Sequence, residues 1–112
     1  MDTGKTLCVY ITIDHRDNAR KLAQTIVQGR FAACVNILGP IESIYRWEGR
    51  IENTEEIVLL VKTTADRYAA LEGRVRELHP YDTPCIVAWP HSHGDEKFLA
   101  WVRGEVRPEL AA

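Results

Sequence analysis

Five consecutive apolar residues, Ile57-Val58-Leu59-Leu60-Val61, stand in the middle of the chain between Glu55-Glu56 and Lys62-Thr63-Thr64. A run of this kind has no polar side to turn to water, so it predicts a strand that is central in a sheet or covered on both faces. Residues 7–13, Leu7-Cys8-Val9-Tyr10-Ile11-Thr12-Ile13, are rich in β-branched and aromatic side chains and predict a second strand, closed by the polar stretch Asp14-His15-Arg16-Asp17-Asn18. Ala19, Leu22, Ala23, Ile26 and Val27 follow at helical spacing. Asp17 or Asn18 is expected to cap the start of that helix, and Gly29 to supply a left-handed residue at its end.

Residues 31–38 form another apolar run, Gly39-Pro40 interrupts it, and residues 41–47 alternate until Glu48-Gly49-Arg50 turns the chain. This predicts a long strand kinked in its middle, because proline cannot donate to a ladder and Gly-Pro marks a bulge or an edge. Thr64-Ala65-Asp66 opens a second helix carrying Tyr68, Leu71, Val75 and Leu78, which His79-Pro80 ends. Gly73 lies inside that helix at a cost of about 1 kcal/mol relative to alanine. Residues 85–89 make a last strand stopped by Pro90, and Asp95 caps a short helix with Phe98, Leu99, Trp101 and Val102. From Gly104 onward no periodicity remains.

The resulting order, β-α-β-β-α-β-α, is α+β, and its first six elements are the ferredoxin-like split βαβ arrangement. The chain therefore reads as one domain over residues 1–112, with an ordered core at about 7–103 and a tail at 104–112. Two helices cover one face of a four-stranded antiparallel sheet. The short last helix is too small to cover the other, so self-association is expected.

The 112 residues include 46% apolar and 27% charged side chains, and fourteen Lys and Arg against sixteen Asp and Glu give a formal charge of −2 with the signs interleaved. Such a balance excludes binding driven by phosphate charge, and the strand at residues 57–62 lacks the aromatic platform of RNA-recognition modules, so no nucleic acid is expected. Apolar runs fall far short of the roughly 20 residues of a membrane span. The polar start followed by a strand does not resemble a signal peptide, and three widely spaced cysteines (Cys8, Cys34, Cys85) fit reduced thiols. A cytoplasmic location is expected.

No Gly-rich phosphate loop, nucleophile elbow, HExxH helix or CxxC pair occurs, so no enzymatic activity is expected. His91 and His93 stand two apart, a spacing that turns both the same way in an extended segment and lets them share an ion; it also suits two solvated loop histidines. A third ligand is left to Asp95, to His79 or to another subunit. Cys34 reads as a small buried hydrophobe. Cys85, close in sequence to Asp82 and His79, is the thiol placed to favour a soft metal such as copper, or is simply structural. Tyr45-Arg46-Trp47-Glu48-Gly49 places two aromatics and an arginine at a hairpin tip, residue types enriched at protein interfaces.

Ala32-Ala33-Cys34-Val35-Asn36, Tyr45-Arg46-Trp47-Glu48-Gly49, Lys62-Thr63-Thr64 and His79-Pro80-Tyr81-Asp82-Thr83-Pro84 together resemble, in order and spacing, the CutA divalent-cation tolerance proteins. The resemblance runs from about Val9 to Val102. It implies a ferredoxin-like fold assembled as a tight homotrimer, similar in design to the PII-type signal transduction proteins, with the hairpin crossing to a neighbouring subunit. It further implies a link to tolerance of copper and other divalent cations, or, in animal members, to anchoring of acetylcholinesterase, with no established reaction. By position, Tyr45, Trp47, Glu48, Lys62, His79, Tyr81 and Asp82 are the family's recurrent residues and are expected to gather in a cleft between subunits.

Two departures stand out. Many bacterial members carry a cysteine where this chain has Ile11-Thr12-Ile13-Asp14-His15, which removes that thiol from the expected copper ligands, and Cys85 occupies a position that is often acidic. The expected function is a trimeric copper or divalent-cation tolerance protein with metal donors among Cys85, His79, His91 and His93. The alternative is a PII-like regulatory or scaffolding module that binds a small ligand or protein partner in the inter-subunit cleft. A hydrolase built on Glu48, His79 and Asp82 lacks a nucleophile and an oxyanion site.

Overall fold

The central apolar run becomes the inner part of a 15-residue strand. The computed structural model describes residues 4–110. Its elements are β1 (Thr6–Ile13), α1 (Arg16–Gln28), β2 (Cys34–Trp47), β3 (Arg50–Thr64), α2 (Tyr68–Leu78), β4 (Ile86–Pro90) and α3 (Glu96–Glu105), with 3-10 turns at Ala65–Arg67 and Pro108–Leu110. One antiparallel sheet ordered β2-β3-β1-β4 joins the strands, as the split βαβ reading expects.

Side chains alternate across a strand, so Val9, Ile11 and Ile13 of β1 and Ile57, Leu59 and Val61 of β3 share one face. They are buried with Leu22 and Ile26 of α1 and Leu71 and Val75 of α2. A second, separate cluster joins Val102 and Val106 to Ala33, where α3 packs against β1 and β3. Tyr10, Leu60, Val87 and Trp89 alternate to the other face, and Val87 and Trp89 stay about half exposed there.

Several local expectations are corrected. The cap of α1 is His15, and neither Asp17 nor Asn18 caps it. Asp14 organises this turn instead, accepting from the His15 amide at 2.8 Å and from Asn18 Nδ2 at 2.9 Å. The left-handed residue after α1 is Arg30 (φ 61°), while Gly29 has φ −81°. Arg30 is held from both ends, its guanidinium on the Glu105 carbonyl at 3.0 Å and its own carbonyl accepting from Arg67. Residues 31–33 are not part of β2, because the Phe31 and Ala32 amides return to the Ile26 carbonyl. A 3-10 turn precedes α2, and of the residues at its apolar spacing Leu78 is exposed while Leu71 and Val75 are buried. The expected tail begins too early at 104: α3 reaches Glu105, Val106 is buried, and a 3-10 turn follows. Residues 111–112 of that tail, like residues 1–3, lie outside the described residues.

The mid-strand kink is present. The β2–β3 register shifts between Leu38 and Ile41, with Gly39 at φ 126°. A Cβ on Gly39 would stand 3.1 Å from the Glu56 carbonyl, so glycine is required there on both counts. Beyond this bulge the hairpin continues to a tip at Glu48 (φ 50°) and Gly49 (φ 79°), the two left-handed residues of a tight hairpin turn.

Candidate functional site

At the base of the hairpin, beside the bulge, Glu56 is buried at 8% exposure. The Tyr81 hydroxyl donates to its Oε2 at 3.0 Å. Burial, the bond to Glu56 and the charge of Glu56 raise the Tyr81 phenol well above its ordinary value, and Asp14 and Tyr45 lie within electrostatic reach of the same ring. Tyr81 is held from behind by His79, with ring centroids 4.7 Å apart in an edge-on arrangement. The Tyr81 amide donates to His79 Nδ1 at 3.1 Å, and His79 Nε2 lies 2.7 Å from the Thr12 carbonyl of β1. One polar network thus ties β1, β3 and the segment after α2 together. Glu56 was missed by sequence reasoning because Glu55-Glu56 reads as a solvated pair; the available signal was its place at the edge of the central apolar run.

The expected metal donors do not meet within one chain. Both ring nitrogens of His79 are engaged by Thr12 and Tyr81, and the ring is buried, which removes it from the metal set. Cys85 is an exposed free thiol just before β4. His91 Nδ1 lies 2.9 Å from Thr6 Oγ1, His93 is exposed with Nδ1 3.1 Å from Ser92 Oγ, and Asp95 is used as the cap of α3, accepting from the Phe98 amide at 2.9 Å. Among the described residues no group of three or more His, Cys, Asp and Glu side chains is positioned to hold a metal ion.

The residues expected in a cleft are likewise spread along one chain. Tyr45 and Trp47 lie on the distal part of β2 and Glu48 at the tip, whereas Tyr81 is at the hairpin base and Asp82 is exposed beside it. Lys62 is six positions along β3 from Glu56, about 20 Å at strand rise. There its ammonium donates to Asn36 Oδ1, and Cys34 and Cys8 pair with it from either side. Cys34, expected as a small buried hydrophobe, is only half-buried, whereas Cys8 is buried and burial raises its thiol pKa.

Apolar surface is conspicuous on the sheet face opposite α1 and α2 and on the hairpin. Leu38, Val87 and Trp89 are exposed on the former, and Ile44 (66%), Ile51 (62%) and Trp47 (48%) on the latter. Tyr10 and Trp89 stack loosely, with centroids 6.4 Å apart. On α3, Phe98 and Trp101 contact each other at 5.7 Å and are both exposed, so of the four apolar residues expected on this helix only Val102 is fully buried.

The family model described as CutA1 divalent ion tolerance protein matches residues 7–105. The divalent-cation tolerance protein CutA of Thermus thermophilus is 45% identical over 95 residues, covering 85% of this chain and 92% of that protein. The chloroplastic protein CutA of Arabidopsis thaliana is 39% identical over 105 residues, covering 94% of this chain and 58% of its own, longer length. The solved structure of the Thermus thermophilus divalent cation tolerance protein superposes with a TM-score of 0.89 at 42% identity, covering 91% of this chain and 99% of that one.

Proposed function

The chain belongs to the CutA1 divalent ion tolerance family, and we propose that it serves divalent-cation tolerance as a three-chain assembly that binds copper or another divalent cation at positions completed between subunits. The observation that carries this reading is the apolar surface on the open sheet face and the hairpin, where Leu38, Ile44, Trp47, Ile51, Val87 and Trp89 are all exposed in the single chain. Apolar surface gathered in this way marks an interface in a protein with ordinary charge. Tolerance of this kind is a binding function, and we assign the chain no reaction.

Copper(I) is soft and favours thiolate, so Cys85, the exposed thiol, is its proposed first contact. Copper(II) and zinc are proposed to use the imidazoles of His91 and His93, with a further donor from a neighbouring subunit. The test is titration of copper(I), copper(II), zinc and nickel into the metal-free protein. Cys85→Ser should lower copper(I) affinity with little effect on zinc, and the double variant His91→Ala, His93→Ala should do the reverse. If both variants bind every metal as the parent does, neither site exists.

A second reading, a regulatory or scaffolding module with a small ligand or protein partner in the inter-subunit cleft, is supported by the polar group at the hairpin base, where Tyr81 bonds Glu56 and stands within electrostatic reach of Asp14. Absence of any metal binding below millimolar concentration favours it over the first. Among the described residues no helix is long and apolar enough to cross a membrane. Three free cysteines support the proposed cytoplasmic location, although the Arabidopsis relative is named as chloroplastic.

A further inference from the structure

The His79 ring is read by two partners that allow only one protonation state. The Thr12 carbonyl can only accept, so His79 Nε2, 2.7 Å away, carries the proton. The Tyr81 amide can only donate, so His79 Nδ1, at 3.1 Å, presents its lone pair. The ring is therefore the neutral Nε2–H form, buried at 8% exposure. Adding a proton at Nδ1 replaces an acceptor by a donor and sets two N–H groups against each other at hydrogen-bond distance.

We propose that His79 is a proton-operated clasp: neutral, it fastens the segment between α2 and β4 to β1 and to the base of the hairpin; protonated, it releases Tyr81, and with it the contact to Glu56. Histidine is the side chain whose ordinary charge change falls between about pH 5 and 8. Unlike a histidine that gains a carboxylate partner, this one gains an N–H donor, so the clasp is closed at higher pH and opens as pH falls.

On the hairpin side, Tyr81 is bonded to Glu56 of β3 and stands within electrostatic reach of Asp14 after β1. In the last turn of α2, Arg76 and Glu77 are engaged by Glu72 and Arg74 on that helix's own surface. What opens is the hairpin base, whether or not the hairpin joins copies of the chain.

Nitrogen-15 NMR of the histidine rings together with amide hydrogen exchange tests this. Between pH 7.5 and 5.5 the protection factor of the Tyr81 amide should fall at least tenfold, with its midpoint at the His79 ring titration. The Leu99 amide, bonded to the Asp95 carbonyl in α3, should change less than twofold. His79→Gln offers one donor and one acceptor and no titration, and should flatten the response. Tyr81→Phe keeps the amide and should retain it. The proposal is overturned if His79 titrates while the Tyr81 amide keeps its protection, if the ring stays neutral to pH 5 in the folded protein, or if Tyr81→Phe abolishes the response, which would make the phenol the fastener. Should His79→Gln not fold, the parent protein's two midpoints decide alone.

Discussion

Glu56 shows how one residue's environment sets its chemistry, because its neighbour Glu55 is exposed while Glu56 itself is buried against the Tyr81 hydroxyl. Removing that donor leaves a buried carboxylate oxygen short of a partner, so Tyr81→Phe should lower stability in chemical denaturation by about 1–3 kcal/mol. The pH dependence has a definite sign. The Tyr81 phenol is raised above its ordinary value by burial and by Glu56, so its contribution is intact below about pH 10 and is lost as pH rises through the folded-state value. Tyr68, pushed up to about 12 by burial and by Glu72, adds in the same direction. Alkaline unfolding of Tyr81→Phe should therefore begin from lower stability but slope less steeply above pH 10 than that of the parent. Asp14 acts at the other end. Burial pushes its carboxyl up, but the bonds from Asn18 and the His15 amide outweigh this and hold it below the ordinary carboxylate value. Its contribution is present above about pH 4 and is lost as pH falls.

Among the elements, the bulged hairpin decides how the rest is read. Gly39 stands at a positive φ beside the Glu56 carbonyl, so Gly39→Ala should destabilise the fold by about 1–3 kcal/mol and loosen the ladder beyond the bulge, visible as faster exchange of the Ile41 to Trp47 amides. The strands, the two long helices and this kink were legible because each rests on local pattern: the apolar run at 57–61, the 3.6-residue spacing in α1 and α2, Gly39-Pro40 and the turn at 48–50. The helix ends were less so. Side chains distant in sequence settle them, as when Glu105 and Arg67 hold Arg30 in the left-handed conformation expected at Gly29. The end of α3 was misjudged for a related reason, since Val106 is buried in a cluster that includes the sequence-distant Ala33. At the candidate site, Tyr81 was legible through its motif and Glu56 was not, and the second role of His79 depends on the Thr12 carbonyl, which no spacing in the sequence announces.

Seen whole, the molecule extends 43 Å along its longest axis, and its Cα radius of gyration of 14.6 Å exceeds the roughly 13 Å of a compact domain of this size. The hairpin beyond the bulge carries Ile44, Trp47 and Ile51 into solvent. Trp47 and Trp101 are about equally exposed in the single chain, so their truncations separate interface from fold. Trp47→Ala should raise the concentration at which the assembly dissociates by at least tenfold, the scale of an interface anchor. Trp101→Ala should shift it less; equal shifts would argue that the hairpin is not the joining element. Sedimentation velocity of the parent protein at micromolar concentration addresses the central claim most directly. It should show a single species with the mass of three chains, and a well-folded monomer at that concentration would contradict the account.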